Sequence, residues 1–147
     1  MKASSVRRQK GAAALEFIAV FVIFFAVFYG VVSYGLPMLM LQSFNQASSE
    51  AVRRCVALDP GSATYRQDVD ALAREVLGKQ LAWMPHTLDF QLASDTSVTL
   101  TPGNLLTVKI DYAKAKLTAV LPLLDLPVIG EVPRLPASLK AEASLQL

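Results

Sequence analysis

The longest apolar stretch of the chain is FIAVFVIFFAVFYGVVSYGLPMLML, residues 17–41, which holds 25 residues and no charged side chain. As an α-helix it would extend about 37 Å, whereas the hydrocarbon core of a bilayer is about 30 Å thick. Helices buried in soluble domains are usually shorter and rarely lack charges over such a length. The stretch therefore predicts one transmembrane helix over residues 17–41.

The charges that flank this stretch predict its orientation. Four cations precede Gly11 with no acidic residue among them: Lys2, Arg7, Arg8 and Lys10. The remaining chain carries 10 of the 14 Lys+Arg and all 12 Asp+Glu, a net charge of −2. The positive-inside rule thus places the N-terminus in the cytoplasm and the chain after about Gln42 on the other side. Because the basic charge belongs to a short leader, we expect no nucleic-acid partner.

Composition and length weigh against two other classes of protein. Apolar residues make up 53% of the chain and charged residues 18%, which disfavours a purely cytosolic enzyme. A cleaved secretory signal would have an apolar core of about 7–15 residues followed by a small-x-small site. Ala47-Ser48-Ser49 fits such a site, but it lies well past the end of an apolar run that is too long. A secretory signal is therefore the weaker interpretation.

Glu16 stands at the N-terminal edge of the apolar stretch, directly before Phe17. A carboxylate at membrane depth costs a few kcal/mol or more, so such residues are rare and usually paired and functional. Alternatively, Glu16 lies at the membrane interface, where a helix N-terminus favours an acid. The residues alone leave both interpretations open.

The segment around Glu16 resembles a known processing site. RRQKGAAALEF, residues 7–17, is similar to the site of class III prepilins, and most similar to that of the TadE/TadF-like minor pseudopilins of the tight-adherence (Flp) pilus system. In that family a basic leader ends in Gly, the fifth mature residue is Glu and an aromatic residue follows. Type IVa pilins and type II secretion pseudopilins begin differently, so Ala12-Ala13-Ala14-Leu15 favours the tight-adherence branch.

The resemblance implies a precursor that a prepilin peptidase cuts between Gly11 and Ala12. Glu16 and Phe17 then become the fifth and sixth mature residues, and Glu16 would pair with the freed α-amino group of a neighbouring subunit. The implied partners are the peptidase, the other Tad/Flp pilus subunits, the inner-membrane assembly platform and membrane lipid. The implied location is the inner membrane, with a periplasmic C-terminal domain and possible incorporation into a pilus that serves cell adhesion.

Three other functions are weighed against this one. A major Flp pilin is disfavoured, because about 85 residues follow the helix here, whereas the mature major pilin is nearly all helix. A bitopic inner-membrane protein with a periplasmic binding domain and a type II secretion pseudopilin remain alternatives. TadE-like and TadF-like proteins are not separated by the sequence.

The remaining pattern predicts an α+β fold in three parts: a leader at 1–11, a long N-terminal helix at 12–58 and a periplasmic domain at 59–147. Apolar spacing predicts a second helix over about 64–77. Alternation then predicts four strands of a small antiparallel sheet, around Leu88–Leu92, Val98–Leu100, Leu106–Tyr112 and Leu139–Leu147. Four prolines make residues 117–136 an irregular apolar segment, either packed over the core or available for docking.

No pattern of catalytic, metal-binding or cofactor-binding residues is visible in the chain. His86 is the single histidine and Cys55 the single cysteine, so these two cannot form a transition-metal site by themselves. Cys55 lies on the apolar stripe that continues the first helix, which predicts a buried, unreactive thiol. We therefore expect no enzymatic activity, no cofactor and no metal.

Overall fold

The structure, a computed structural model, describes residues 6–122, 124–126 and 130–147, with side chains for all of these except 6–10 and 126. Lys2 lies outside the described residues, as do the side chains of Arg7, Arg8 and Lys10. The helices are α1 (Val6–Cys55), α2 (Tyr65–Gln80), α3 (Leu92–Asp95) and α4 (Lys114–Leu117). The strands are β1 (Thr96–Leu100), β2 (Leu105–Ala113), β3 (Leu124–Leu126), β4 (Gly130–Val132) and β5 (Ser138–Gln146). The predicted α+β fold is confirmed.

Helix α1 is 50 residues long and continues through Pro37 without interruption. Its C-terminal half buries one stripe at spacings of three and four residues: Ser33, Pro37, Met40, Phe44, Ala47, Ala51 and Cys55. These positions lie on one face of a helix, and α2, β2 and β5 pack against it. The helix ends before Asp59-Pro60-Gly61, a segment that favours a turn. The outer half of α1 is therefore the central element of the folded domain.

Helix α2 confirms the second predicted helix and ends three residues beyond it. Its apolar face buries Tyr65, Val69, Ala73, Val76 and Leu77 against α1. Gly78 does not end the helix, because the amide of Leu81 still donates to the carbonyl of Leu77 at 2.9 Å. The Cys55 thiol lies 3.7 Å from the carbonyl oxygen of Val69, at the contact between the two helices.

The main sheet has three antiparallel strands in the order β1–β2–β5. Alternate residues of the central strand β2 are buried: Leu106, Val108, Ile110 and Tyr112. The opposite face is polar, with Thr107 bonded to Ser144 at 2.9 Å and Lys140 paired with Asp111 at 3.4 Å. Three of the four predicted strands are confirmed, and β2 ends at Ala113, directly before α4.

The predicted strand at Leu88–Leu92 is wrong. A 3₁₀ turn covers His86–Leu88, Asp89 adopts the left-handed φ of 47°, and α3 begins at Leu92. Leu88 is nonetheless buried and Phe90 packs on the core, so the apolar alternation is satisfied by turns. The Asp95 carboxylate fixes these turns, because it accepts bonds from the Gln91 amide and the Lys116 ammonium, each at 2.8 Å. The same alternation of apolar and polar residues can thus occur in a short strand and in a folded loop.

The remaining two strands form a separate hairpin. β3 and β4 are antiparallel and lie within the proline-containing segment 117–136, outside the main sheet. Part of this segment packs on the core, since Leu117, Leu121 and Pro133 are buried. Val120 and Leu124 stay about two-fifths exposed, at 39% and 40%. Part of the segment is therefore packed over the core, as the first alternative predicts, and docking by its exposed part stays a prediction.

Three aromatic rings meet at the centre of the domain. Phe44 of α1 lies 5.8 Å from Phe90 and 6.0 Å from Tyr112, measured between ring centroids. The Tyr112 hydroxyl donates a 2.6 Å hydrogen bond to the carbonyl of Leu88. This cluster joins the long helix, the central strand and the 86–95 turns, and such pairs add about 0.5–1.5 kcal/mol beyond area burial.

Phe44→Ala should therefore destabilise the domain strongly. Phe44 is fully buried, and a large-to-small change at such a site lowers the free energy of unfolding by about 3–5 kcal/mol. Denaturant unfolding of the full chain in detergent micelles, followed by Trp83 fluorescence, would measure the change. Phe24→Ala is the control, since Phe24 is 65% exposed on the same helix. Equal destabilisation by both changes would contradict the assignment of Phe44 to the core.

Alkaline pH should destabilise the domain through Tyr112. Burial, with the nearby Asp95 and Asp89 carboxylates, raises the pKa of Tyr112 from 10 to about 12. Between these values the folded chain holds a proton that the unfolded chain has lost, so the free energy of unfolding falls as pH rises from 10 to 12. A shift of this size corresponds to about 2–3 kcal/mol.

Unfolding measured across this pH range in the wild-type chain and in Tyr112→Phe tests the assignment. The variant should have a lower free energy of unfolding at pH 10, because it lacks the hydrogen bond to Leu88. It should also lose the part of the pH dependence that Tyr112 causes. Tyr65→Phe, which removes another core hydroxyl, should keep that dependence. If Tyr112→Phe kept it as well, the alkaline transition would belong to other groups.

Candidate functional site

The residues of the predicted cleavage site lie within the continuous helix α1. Gly11, Ala12, Glu16 and Phe17 are all exposed, and none is covered by the folded domain. A Cβ built on Gly11 would meet no described atom within 4 Å. Contacts with the described residues therefore do not require a glycine at this position. Its small size leaves the backbone there accessible to another molecule.

Glu16 has no partner in its own chain among the side chains that the structure describes. The structure also bears on the interpretation that a helix N-terminus stabilises the Glu16 carboxylate at the membrane interface. Helix α1 begins at Val6 and has no acidic residue in its first turn, so Glu16 lies nearly three turns inside the precursor helix. Because the helix dipole acts mainly within the first turn, it gives Glu16 little stabilisation there. Removal of residues 1–11 would bring the helix start within about one turn of Glu16.

The exposed half of α1 has two chemically different faces. Phe17 stacks on Phe21, Phe21 on Phe25 and Phe24 on Phe28, with ring centroids 6.1–6.3 Å apart. At about 100° per residue these five rings occupy a sector of roughly 100°. Glu16 lies outside this sector. Its neighbours within about 40° are small or aliphatic: Ala12, Val20, Ile23, Val27 and Gly30.

The Glu16 face is suited to close contact with another helix. Small residues such as Ala12 and Gly30 let two helix backbones approach closely within a membrane, and a polar group on such a face can bond across the contact. The phenylalanine face, by contrast, presents bulky rings, most of them more than half exposed in the single chain. The geometry therefore distinguishes the face that carries the carboxylate from the aromatic face.

The apolar run of residues 17–41 divides between two environments. Helix α1 is the one described helix long and apolar enough to cross a membrane, and its most apolar window is entirely unburied. Further along, Ser33, Pro37 and Met40 are buried by the domain. The regular spacing of these three residues with Phe44 was the signal for this burial, which hydropathy alone does not reveal.

The remaining candidate residues form no reactive cluster among the described residues. No group of three His, Cys, Asp or Glu side chains there could hold a metal ion. Cys55 is buried, as predicted, and burial raises the pKa of its thiol. His86 is exposed at the start of the 3₁₀ turn. The most enclosed ion pair, Lys116 with Asp95, is fully used in holding the 89–95 turns.

Comparison with known proteins gives one match. Residues 11–53 match the family described as TadE-like protein. This segment begins at the last residue of the basic leader and covers most of α1, but it includes neither α2 nor the sheet. No curated protein and no solved structure matches the chain. The resemblance to TadE-like proteins is thereby confirmed over residues 11–53, which form a TadE-like segment of the chain.

Proposed function

We propose that this chain is a TadE/TadF-like minor pseudopilin that supports assembly of a tight-adherence pilus. It is made as a precursor, and a prepilin peptidase cleaves it between Gly11 and Ala12. The mature helix anchors it in the inner membrane, and the domain after α1 lies in the periplasm. The observation that carries the proposal is the Glu16 carboxylate, which has no partner among the described side chains and lies at a fixed distance from the proposed cleavage site in a TadE-like segment.

The electrostatic argument begins with the cost of this carboxylate. An unpaired charge in a bilayer costs a few kcal/mol or more, and no described side chain of the protomer pairs with Glu16. Cleavage would create an α-amino group at Ala12, one helical turn away. In a bundle of staggered helices, the amine of one subunit pairs with the carboxylate of another, and this pairing offsets the desolvation of both groups. Such a pair favours one axial offset between subunits.

The proposed topology follows from the distribution of charge along the chain. The basic leader before Gly11 stays in the cytoplasm, where the peptidase acts, and the net-negative domain lies outside. The Glu16 face of α1 remains free for other Tad/Flp subunits and for the inner-membrane assembly platform. Partners that recognise the periplasmic domain would contact the polar face of the β1–β2–β5 sheet, the α2 surface or the exposed turns.

Processing at Gly11 should be blocked by Gly11→Val. A side chain at this position would meet no atom of the part of the chain that the structure describes, so loss of cleavage would report on the peptidase and not on folding. N-terminal sequencing of the protein from cells with and without the peptidase would show whether the mature chain starts at Ala12. Gly35→Val is the matched control, because Gly35 is equally open on the same helix, and it should be cleaved normally.

Two outcomes of this experiment would contradict the proposal. A wild-type chain that keeps Met1 in cells that process their other prepilins would favour a bitopic membrane protein with a periplasmic binding domain. A mature chain that starts after Ser49 would instead indicate a cleaved secretory signal and no membrane anchor.

Glu16→Ala should prevent co-assembly while leaving the monomer intact. The substitution removes the proposed intersubunit pair, but it removes no described contact within the chain, so cleavage and unfolding of the monomer should be unchanged. Co-purification with other pilus components after mild crosslinking would measure assembly. Glu142→Ala, an exposed acid on the sheet, is the control. Full co-assembly of Glu16→Ala would show that the carboxylate is not used for register.

A further inference from the structure

Two tyrosines of α1 hold the ends of the β3–β4 hairpin. The Tyr29 hydroxyl donates to the carbonyl of Pro122, two residues before β3. The Tyr34 hydroxyl accepts a 3.0 Å hydrogen bond from the backbone amide of Arg134, two residues after β4. Both ends of the hairpin are thus bonded to the apolar part of α1, about 90 to 100 residues earlier in the sequence.

The hairpin has an apolar face and an acidic face. Leu124 pairs with Val132, and Asp125 pairs with Glu131 in the next position of the ladder. Because successive side chains of a strand point to opposite faces, the apolar pair and the acidic pair lie on different sides. Glu131 forms an ion pair with Lys114, which compensates part of the negative charge. A two-stranded hairpin of this kind suits a boundary between apolar and polar surroundings.

The apolar face of the hairpin and the exposed half of α1 enclose a groove of about 400 Å³. Leu124 and Val132 line one side, and the other side is lined by Phe21, Val22, Phe25, Ala26 and Tyr29. Apart from the tyrosine hydroxyl, which is bonded to Pro122, these side chains carry no polar atom. The groove follows α1 for about 12 Å along its axis, from Phe21 to Tyr29.

The burial of α1 indicates where this groove lies relative to a bilayer. A helix needs about 20 residues to cross the hydrocarbon core, and the 20 residues from Ala12 to Val31 precede the stretch that the domain buries. Were residues 33–41 in the bilayer instead, the exposed polar groups of the adjoining domain, including Arg134 and Lys140, would be drawn in as well. Tyrosines are typical of the membrane–water interface, where Tyr29 and Tyr34 would then lie.

We infer that the β3–β4 hairpin is a membrane-interface element, and that its groove with α1 holds an acyl chain of the leaflet nearest the folded domain. This inference rests on the membrane insertion of α1 in the proposed function. The groove is continuous with the lipid-facing surface of the helix, so lipid reaches it without displacing any described contact. Its acidic face, with Lys114, remains at the level of the head groups.

The groove is separate from the face proposed for subunit contacts. At about 100° per residue, the middle of the groove lining lies roughly 150° around α1 from Glu16. A neighbouring helix that pairs with Glu16 therefore leaves the groove open, and lipid remains its occupant. The hairpin would thereby fix the rotation of α1 in the bilayer, so that the Glu16 face points toward other subunits.

Quenching of tryptophan fluorescence by brominated lipid tests the position of the hairpin. The full chain carries Trp83→Phe to remove its native tryptophan, and single tryptophans are introduced by Leu124→Trp, Phe21→Trp or Leu145→Trp. Each protein is reconstituted at low density into phosphatidylcholine vesicles with or without dibrominated acyl chains. Leu145 is the matched control, because it is as exposed as Leu124, each at 40%, and pairs with Leu106 at the far end of the sheet.

We expect strong quenching and a blue-shifted emission for the tryptophans at positions 21 and 124, and neither effect at 145. Val132→Trp lies on the same face of the hairpin and should show the same quenching and blue shift as Leu124→Trp. It replaces Leu124→Trp in the experiment if that variant does not fold. Quenching at 21 but not at 124 or 132 would overturn this inference and leave the proposed function standing. Absence of quenching at 21 would overturn membrane insertion itself. Equal quenching at 145 would show that the whole domain lies on the membrane and would overturn the specific role of the hairpin.

Discussion

The whole structure depends on helix α1, because one half of it is buried in the folded domain and the other half is exposed and apolar. From Ser33 to Cys55, α1 buries a continuous stripe against α2, β2 and β5, and the aromatic cluster around Phe44 is built on this stripe. From Gly11 to Phe28 every side chain of the same helix is exposed. Because the helical backbone is continuous between the two halves, it relates the exposed half of α1 to the folded domain in rotation and in distance along the helix axis. The position of the domain therefore sets the direction in which Glu16 points.

The folded domain and the exposed apolar half of α1 differ in how their polar and charged groups are paired. Within the part of the chain that the structure describes, every buried side-chain nitrogen or oxygen has a hydrogen-bond partner. Asp95 is held by Lys116 and by the Gln91 amide, and Glu50 accepts from both Arg53 and Arg54, which lower its pKa. Glu16 has no such arrangement with any side chain that the structure describes. A carboxylate without a described partner on an apolar helix is suited to pairing with another molecule.

In the proposed arrangement, the β3–β4 hairpin marks the end of the transmembrane part of α1 that lies nearest the folded domain. Its bonds to Tyr29 and Tyr34 lie where the exposed half of α1 meets the buried half. The predicted transmembrane segment of residues 17–41 remains a prediction. The burial of Met40 and the exposure of Leu15 favour a span nearer the N-terminus. Such a span would begin close to Ala12, so Glu16 would be about one turn inside the bilayer, where a partner is most needed.

The sequence by itself determined the features that depend on local pattern. A run without charges predicts a membrane helix, and basic residues before Gly11 predict its orientation. The processing site at Gly11 is what the resemblance of residues 7–17 to class III prepilins implies. Period-two alternation gave β1, β2 and β5, because each of these strands has one face in the core. These signals report the polarity of neighbouring positions, which is fixed before the chain folds.

Only the tertiary structure decided which apolar residues are covered by other parts of the protein and which stay exposed. Ser33 and Pro37 are buried by segments that lie far away in the sequence, and the Leu88–Leu92 alternation folds into turns because Lys116 and Asp95 lock them. The hydrogen bonds that Tyr29 and Tyr34 form with the ends of the hairpin also join residues about 100 positions apart in the sequence. Hydrophobicity is non-directional, so the sequence shows that a side chain avoids water but not which surface covers it.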